Sequence, residues 1–152
     1  MKAEFLDDGR VLISREDFLK YFNKEAEQTP ITGVPKETAL TLRITDTLSN
    51  LGIPRKIKGY EFLRKAITLT IRDRGYIDAM TKALYPQIAR EYNTLPSRVE
   101  RAIRHAIEVG CGNKPEEMGI YFARAMDTPS GKPTNGEFIA TVADELQLRK
   151  AL

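Results

Sequence analysis

Three arginines and the one histidine of the chain lie close together, at Arg98, Arg101, Arg104 and His105. Guanidinium and imidazolium groups donate hydrogen bonds to phosphate oxygens, and a guanidinium can also pair with both acceptors on the major-groove edge of guanine. Glu100, in the same run, could accept a hydrogen bond from the amino group of cytosine. These residue types at this spacing favour contact with nucleic acid.

A helix that begins at Ser97 would place these side chains on one side. If each residue advances the helix by about 100°, the apolar residues of the segment fall within one arc and the charged residues fill the rest. The run Ser97-Arg98-Val99-Glu100 matches a capping box, in which the serine and glutamate side chains bond to each other's backbone amides. The pattern therefore predicts a helix from residue 97 to about 109, stopped by Gly110 and Gly112. The residues expected to face inward are Val99, Ala102, Ile103, Ala106, Ile107 and Val109.

The residues ahead of this helix fit the first half of a helix-turn-helix. Ala89, Asn93 and Val99 have the spacing of that motif. A small residue lets the two helices approach, asparagine tolerates a left-handed backbone in the turn, and an apolar residue anchors the second helix. We therefore predict that the second helix enters the major groove of DNA and reads base edges with Arg104 and Glu100. The residues predicted mainly for phosphates are Ser97, Arg98, Arg101 and His105.

Positive charge is concentrated in the middle third of the chain. Residues 55–104 contain 12 Lys+Arg and 5 Asp+Glu, a net charge of +7, whereas residues 1–54 and 105–152 each have a net charge of −2. A basic block suits a polyanion, because each cation placed on a phosphate releases a condensed counterion. A solvated basic surface would have the same composition.

Several function classes are disfavoured by composition. With one cysteine, Cys111, and one histidine, the chain cannot assemble a Cys/His metal cluster, so we expect no structural metal and no cofactor. The run Ser130-Gly131-Lys132-Pro133 fails as a phosphate loop because proline, not serine or threonine, follows the lysine. No cluster of titratable residues indicates an enzyme. The chain has neither an apolar run long enough to span a bilayer nor a secretory signal, and we expect a cytoplasmic location.

The remaining pattern predicts an all-α fold. Residues 1–36 are expected to form an N-terminal extension and linker, with a strand-like piece at 9–13, a helix capped by Ser14 and a linker at 28–36. Residues 37–152 are expected to form one helical domain with short connections. Besides the helix at 97–109, apolar residues recur at helical spacing at 40–51, 59–73, 77–92, 116–125 and from 134 onward. In the stretch at 77–92, Pro86 must either kink the helix or begin its second half as a first-turn residue. Thr134-Asn135-Gly136-Glu137 matches a second capping box.

The chain also resembles a known family. The runs Leu84-Tyr85-Pro86, Ser97-Arg98-Val99-Glu100-Arg101-Ala102 and Lys132-Pro133-Thr134-Asn135 are similar to the C-terminal effector domain of the master response regulator of sporulation in endospore-forming bacteria, the stage-zero sporulation protein A family. The resemblance covers roughly residues 42 to 149. It implies a six-helix effector domain that binds double-stranded DNA at a short promoter element, contacts RNA polymerase and forms homodimers on adjacent sites.

The resemblance also implies which residues contact DNA. In that family, the positions that match Ser97, Arg98, Glu100, Arg101, Arg104 and His105 lie at the DNA. The family ordinarily has a phosphoacceptor receiver domain ahead of the effector, but here about 40 residues precede the effector region, so we expect no receiver domain. The alternative function is an interaction module that binds RNA polymerase or another regulator without direct DNA contact.

Overall fold

A computed structural model describes residues 4–5, 11–12 and 36–151. The chain divides into two units, Met1–Ala39 and Leu40–Leu152. In the first unit, strands β1 (Glu4–Phe5) and β2 (Val11–Leu12) pair in an antiparallel arrangement. Strand β2 lies within the strand-like piece predicted at 9–13. The predicted helix after Ser14 and the predicted linker, apart from Lys36, lie outside the described residues.

The second part of the chain is helical, as predicted. Residues 36–151 form seven α-helices, six of which have seven residues or more. The helices are α1 (Lys36–Asn50), α2 (Lys58–Arg72), α3 (Gly75–Asp78), α4 (Tyr85–Glu91), α5 (Pro96–Asn113), α6 (Pro115–Met126) and α7 (Asn135–Ala151). A π-helical turn, Met80–Leu84, lies between α3 and α4. Within the described part of the chain, no helix has the length and apolar character needed to cross a membrane.

The core lies where α2 packs against both α5 and α7, and α5 also contacts α7. Each of these helices contributes the apolar face that its sequence predicts, so the interior is closed by side chains from all three. The fully buried side chains include Leu63 and Ile67 from α2, Ile103 and Ile107 from α5, and Phe138 and Val142 from α7. This packing leaves the opposite side of α5 facing solvent.

The contact between α2 and α5 depends on a glycine. A Cβ atom at Gly59 would lie 2.0 Å from the carbonyl oxygen of Ala102 and 2.7 Å from the Cβ atom of Ala106. Both distances are shorter than van der Waals contact, so no larger residue fits here unless the helices separate. Glycine at this position therefore sets how closely α5 lies on the core.

The helical stretch predicted at 77–92 is interrupted: Pro86 begins its second half, which is one of the two predicted roles for this proline, and a further break at Ala79 is not foreseen from the sequence. The chain forms α3, then the π-helical turn, then α4, and Ala79 between the first two has a non-helical backbone (φ −134°, ψ 45°). Pro86 lies in the first turn of α4. Proline is accepted there because the first amides of a helix have no intrahelical partner, whereas inside a longer helix it would remove a hydrogen bond.

The start predicted for the charged helix, at Ser97, is wrong. The helix α5 begins at Pro96, with Leu95 as its N-cap residue in an extended conformation, and no side chain caps this end. The capping box predicted at Ser97-Arg98-Val99-Glu100 therefore does not form. Proline at the first helical position supplies the start signal instead, because its fixed φ angle is already helical and its missing amide needs no partner.

The predicted stop at Gly110 and Gly112 is wrong as well, since α5 continues to Asn113. Gly110 is buried, and a Cβ atom there would lie 2.7 Å from the carbonyl oxygen of Leu51 and 2.6 Å from the terminal methyl of Met118. Its role is close packing, and the helix ends instead just ahead of Pro115. The residue before a proline disfavours helical geometry, and Lys114 is accordingly non-helical (φ −136°, ψ 62°).

The threonine half of the capping box predicted at the start of the last helix is confirmed. The backbone amide of Glu137 donates to Thr134 Oγ1 at 3.1 Å, and the amide of Phe138 donates to the carbonyl oxygen of Thr134 at 3.0 Å. These bonds satisfy amides that the helix itself cannot pair. The start of α7 is thereby fixed, together with the loop that precedes it.

Candidate nucleic-acid interface

The turn between α4 and α5 has the conformation that its sequence predicts. Asn93 has a positive φ angle of 51°, in the left-handed region that asparagine tolerates. The amide of Thr94 donates to the carbonyl oxygen of Ala89 at 2.9 Å and closes the end of α4. Ala89 and Val99 are both buried, so the small residue and the apolar anchor face the core. The turn fixes the direction in which α5 leaves α4.

The two sides of α5 differ in burial as the helical wheel predicts. Val99, Ile103, Ala106 and Ile107 are buried, and Ala102 and Val109 are half-buried. On the opposite side, Ser97, Arg98, Arg101, Arg104 and His105 are exposed, and Glu100 is half-buried. All six candidate site residues therefore share the solvent side of one helix. We call this set the outward face of α5.

Two residues of the outward face form an ion pair. Nη2 of Arg104 donates to Oε1 of Glu100, one helical turn away, and both side chains remain about half exposed. A guanidinium has five N–H donors, so Arg104 keeps donors for a further acceptor. Exposed pairs of this kind contribute little to stability, which means that a ligand can rearrange this one at small cost.

Arg98 and Arg101 differ from Arg104 in their surroundings. Among the residues that the structure describes, neither has a hydrogen-bond or ion-pair partner, and both are exposed. A cation without an internal partner gives up only solvent when it meets an anion. The outward face therefore offers two guanidinium groups directly to a polyanion, with a third held by an acidic neighbour.

A hydrogen-bond network not foreseen from the sequence joins three helices beside this face. Nδ2 of Asn135, at the start of α7, donates to the hydroxyl of Tyr85 at 3.1 Å and to the carbonyl oxygen of Glu100 at 3.2 Å. Burial raises the pKa of Tyr85, while the hydrogen bond from Asn135 acts in the opposite direction. The network ties α5 to α4 and α7. Its partners are 35 and 50 residues apart along the chain, so no local pattern indicates it.

A second carboxylate of α5 is engaged by the loop ahead of α7. The ammonium group of Lys132 pairs with Oε1 of Glu108. This hydrogen bond is the main reason that the pKa of Glu108 lies below its usual value. Lys132 belongs to the run that fails as a phosphate loop, and no local sequence pattern predicts a function for it. The structure brings it beside the outward face of α5.

Metal binding and thiol chemistry find no support in the part of the chain that the structure describes. No group of three or more His, Cys, Asp or Glu side chains lies close enough to hold a metal ion there. Cys111 is half-buried on α5, and burial raises the pKa of its thiol. A raised pKa keeps the thiol protonated, which is the unreactive form.

The comparison with known families identifies the domain. The family described as "Sporulation initiation factor Spo0A C terminal" matches residues 44–146, about two thirds of the chain. The match includes all of α2 to α6, and with them the outward face of α5 and the loop that carries Lys132. The chain therefore belongs to the family of C-terminal domains of the sporulation initiation factor Spo0A, whose members bind DNA and regulate transcription.

Proposed function

We propose that α4 and α5 form a helix-turn-helix and that α5 is the helix that enters the major groove. The left-handed turn at Asn93 and the buried Ala89 and Val99 support this arrangement. The observation that carries the proposal is the outward face of α5, where three exposed arginines share one side of a helix whose other side is buried. A major groove about 12 Å wide accommodates one such helix.

The roles within the outward face follow from reach and chemistry. Arg104 and Glu100 read base edges: the guanidinium donates to guanine and the carboxylate accepts from cytosine. The ion pair between Arg104 and Glu100 holds both side chains on the outward face, and contacts with base edges replace this pair when DNA binds. The two other arginines, the imidazole and the hydroxyl position the protein on the sugar-phosphate backbone. These are Ser97, Arg98, Arg101 and His105.

The assembly follows from the size of the interface. A single helix in one groove buries too little surface for tight binding, so we propose that two copies occupy adjacent sites on promoter DNA in the cytoplasm. RNA polymerase is the proposed second partner, as family membership suggests. An interaction module that never touches DNA remains the alternative, and the test below separates the two.

The test begins with selection of duplexes from random DNA by the full chain, followed by fluorescence anisotropy on the recovered site. We expect Arg104→Ala to weaken binding to that site by about 1–3 kcal/mol, because a guanidinium on a base edge is lost. Arg124→Ala is the matched control, since Arg124 is an exposed arginine on α6. The control should bind the selected site as the unchanged chain does.

Two outcomes would contradict the proposal. Equal affinity of the Arg104→Ala variant and the unchanged chain would remove α5 from base reading. Absence of salt-sensitive DNA retention, together with co-purification of RNA polymerase, would favour the alternative function.

A further inference from the structure

A cleft of about 460 Å³ borders the outward face of α5. Arg104 and Glu100 line it on the side of α5, and Lys132 lines it on the side of the loop ahead of α7. The two cations come from segments that are 28 positions apart in the sequence. Each is paired with a different carboxylate of the same helix, Arg104 with Glu100 and Lys132 with Glu108. The loop therefore adds a positive group to a surface that α5 alone does not complete.

The helical geometry shows where this added charge lies. At about 100° per residue, Glu108 points within about 40° of both Arg101 and Arg104 around the axis of α5. It lies four residues, or about 6 Å, beyond Arg104 along that axis. Because the ammonium of Lys132 is bonded to Glu108, it sits above the later turns of the outward face.

The charge at Glu108 and Lys132 matters when α5 lies in a DNA groove. The turns of a recognition helix that lie deepest in the groove contact base edges, and the turns beyond them approach the backbone of a flanking strand. A lone carboxylate at Glu108 would repel that strand. The ammonium of Lys132 cancels this charge, and it has three N–H donors, so it can hold the carboxylate and still donate to another oxygen.

We propose that Lys132 contacts a DNA phosphate beside α5, so that the loop ahead of α7 is part of the DNA-binding surface. Glu108 holds the ammonium in position, and the capped start of α7 holds the loop. This inference rests on the proposed function of α5, and it adds to that function a residue that lies outside the helix-turn-helix.

The experiment measures how binding to a fluorescein-labelled duplex of random sequence depends on salt. Each phosphate contact contributes about 0.9 to the slope of log affinity against log salt concentration. We expect Lys132→Gln to make the slope shallower by about that amount, so that its loss of affinity is about threefold larger at 50 mM than at 200 mM salt. Lys132→Arg keeps the cation and should keep the slope.

Two controls separate a contact from a change in net charge. Lys114→Gln removes an equally charged, exposed lysine beyond the far end of α5, and it should leave the slope unchanged. The Lys132→Gln variant also exposes the carboxylate of Glu108 to the DNA. The double variant Glu108→Gln Lys132→Gln is therefore compared with Glu108→Gln alone, and the shallower slope should persist in that pair.

Arg101→Gln, measured alongside, reports the phosphate contacts of α5 itself. Suppose that Arg101→Gln makes the slope shallower, but that Lys132→Gln leaves it unchanged both alone and in the Glu108→Gln background. This result would overturn the inference about Lys132 and leave the proposed function standing. An equal effect of Lys114→Gln and Lys132→Gln would overturn it too. Absence of DNA binding by the unchanged chain would overturn both proposals.

Discussion

The two sides of α5 differ in their surroundings: one side is packed in the core, and the other faces solvent. The inward side packs against α2 so closely that a Cβ atom at Gly59 would overlap Ala102, and its apolar side chains are buried. The outward side carries polar and charged groups that are mostly exposed, and the two carboxylates there, Glu100 and Glu108, are paired with Arg104 and Lys132. The fold therefore depends on one side, and the proposed DNA binding depends on the other. The difference predicts that substitutions on the two sides separate stability from DNA affinity.

The largest effect is expected where the inward side is disturbed. Gly59→Ala places a methyl group 2.0 Å from the carbonyl oxygen of Ala102, so α2 and α5 must move apart. We expect the free energy of unfolding, measured by urea denaturation, to fall by about 2–4 kcal/mol. Arg101→Ala, on the outward side, is the control and should change it by less than about 0.5 kcal/mol. Equal losses for the two variants would break the comparison.

A smaller effect is expected at the turn that orients α5. Asn93 has a left-handed backbone, which costs most L-residues about 1–2 kcal/mol and costs glycine almost nothing. We expect Asn93→Ala to lower the free energy of unfolding by about 1 kcal/mol, whereas Asn93→Gly should leave it unchanged or raise it slightly. Thermal unfolding of the two variants side by side measures the difference. If alanine and glycine are tolerated equally, the turn does not depend on this conformation.

Much of this architecture is predictable because residues close together in the sequence determine it. The apolar positions of α2, α5 and α7 recur at helical spacing, and burial follows that spacing because a helix has only one side to offer the core. The cap at Thr134 and the left-handed Asn93 each involve residues a few positions apart. The outward face of α5 could be assigned for the same reason.

The errors lie where distant residues decide the outcome. Gly110 reads as a helix stop, but its role depends on Leu51 and Met118, which come from other segments. The break near Ala79 has no counterpart in the spacing of apolar residues, which continues through it, and the short helix α3 before the break contacts both α2 and α7. Helix starts are ambiguous when proline and serine are adjacent, as at Pro96 and Ser97, because both residue types occur near helix N-termini.

The proposed DNA-binding surface shows the same division between local and distant information. The arginines of α5 lie within two turns of one helix and can be grouped from the sequence alone. Lys132 and Asn135 join that surface through contacts with Glu108 and Glu100, which are 24 and 35 residues away. Only the folded chain brings these groups together, and so no local pattern predicts a role for the loop ahead of α7.

Contact between the outward face of α5 and DNA is the central feature of the proposed function. A photoreactive residue, benzoylphenylalanine, placed at Arg101 in the full chain and irradiated with the selected duplex tests this contact directly. The same residue at Arg124 on α6 is the control. We predict a protein–DNA crosslink from position 101 and none from position 124. A crosslink from position 124 with none from position 101 would contradict the account.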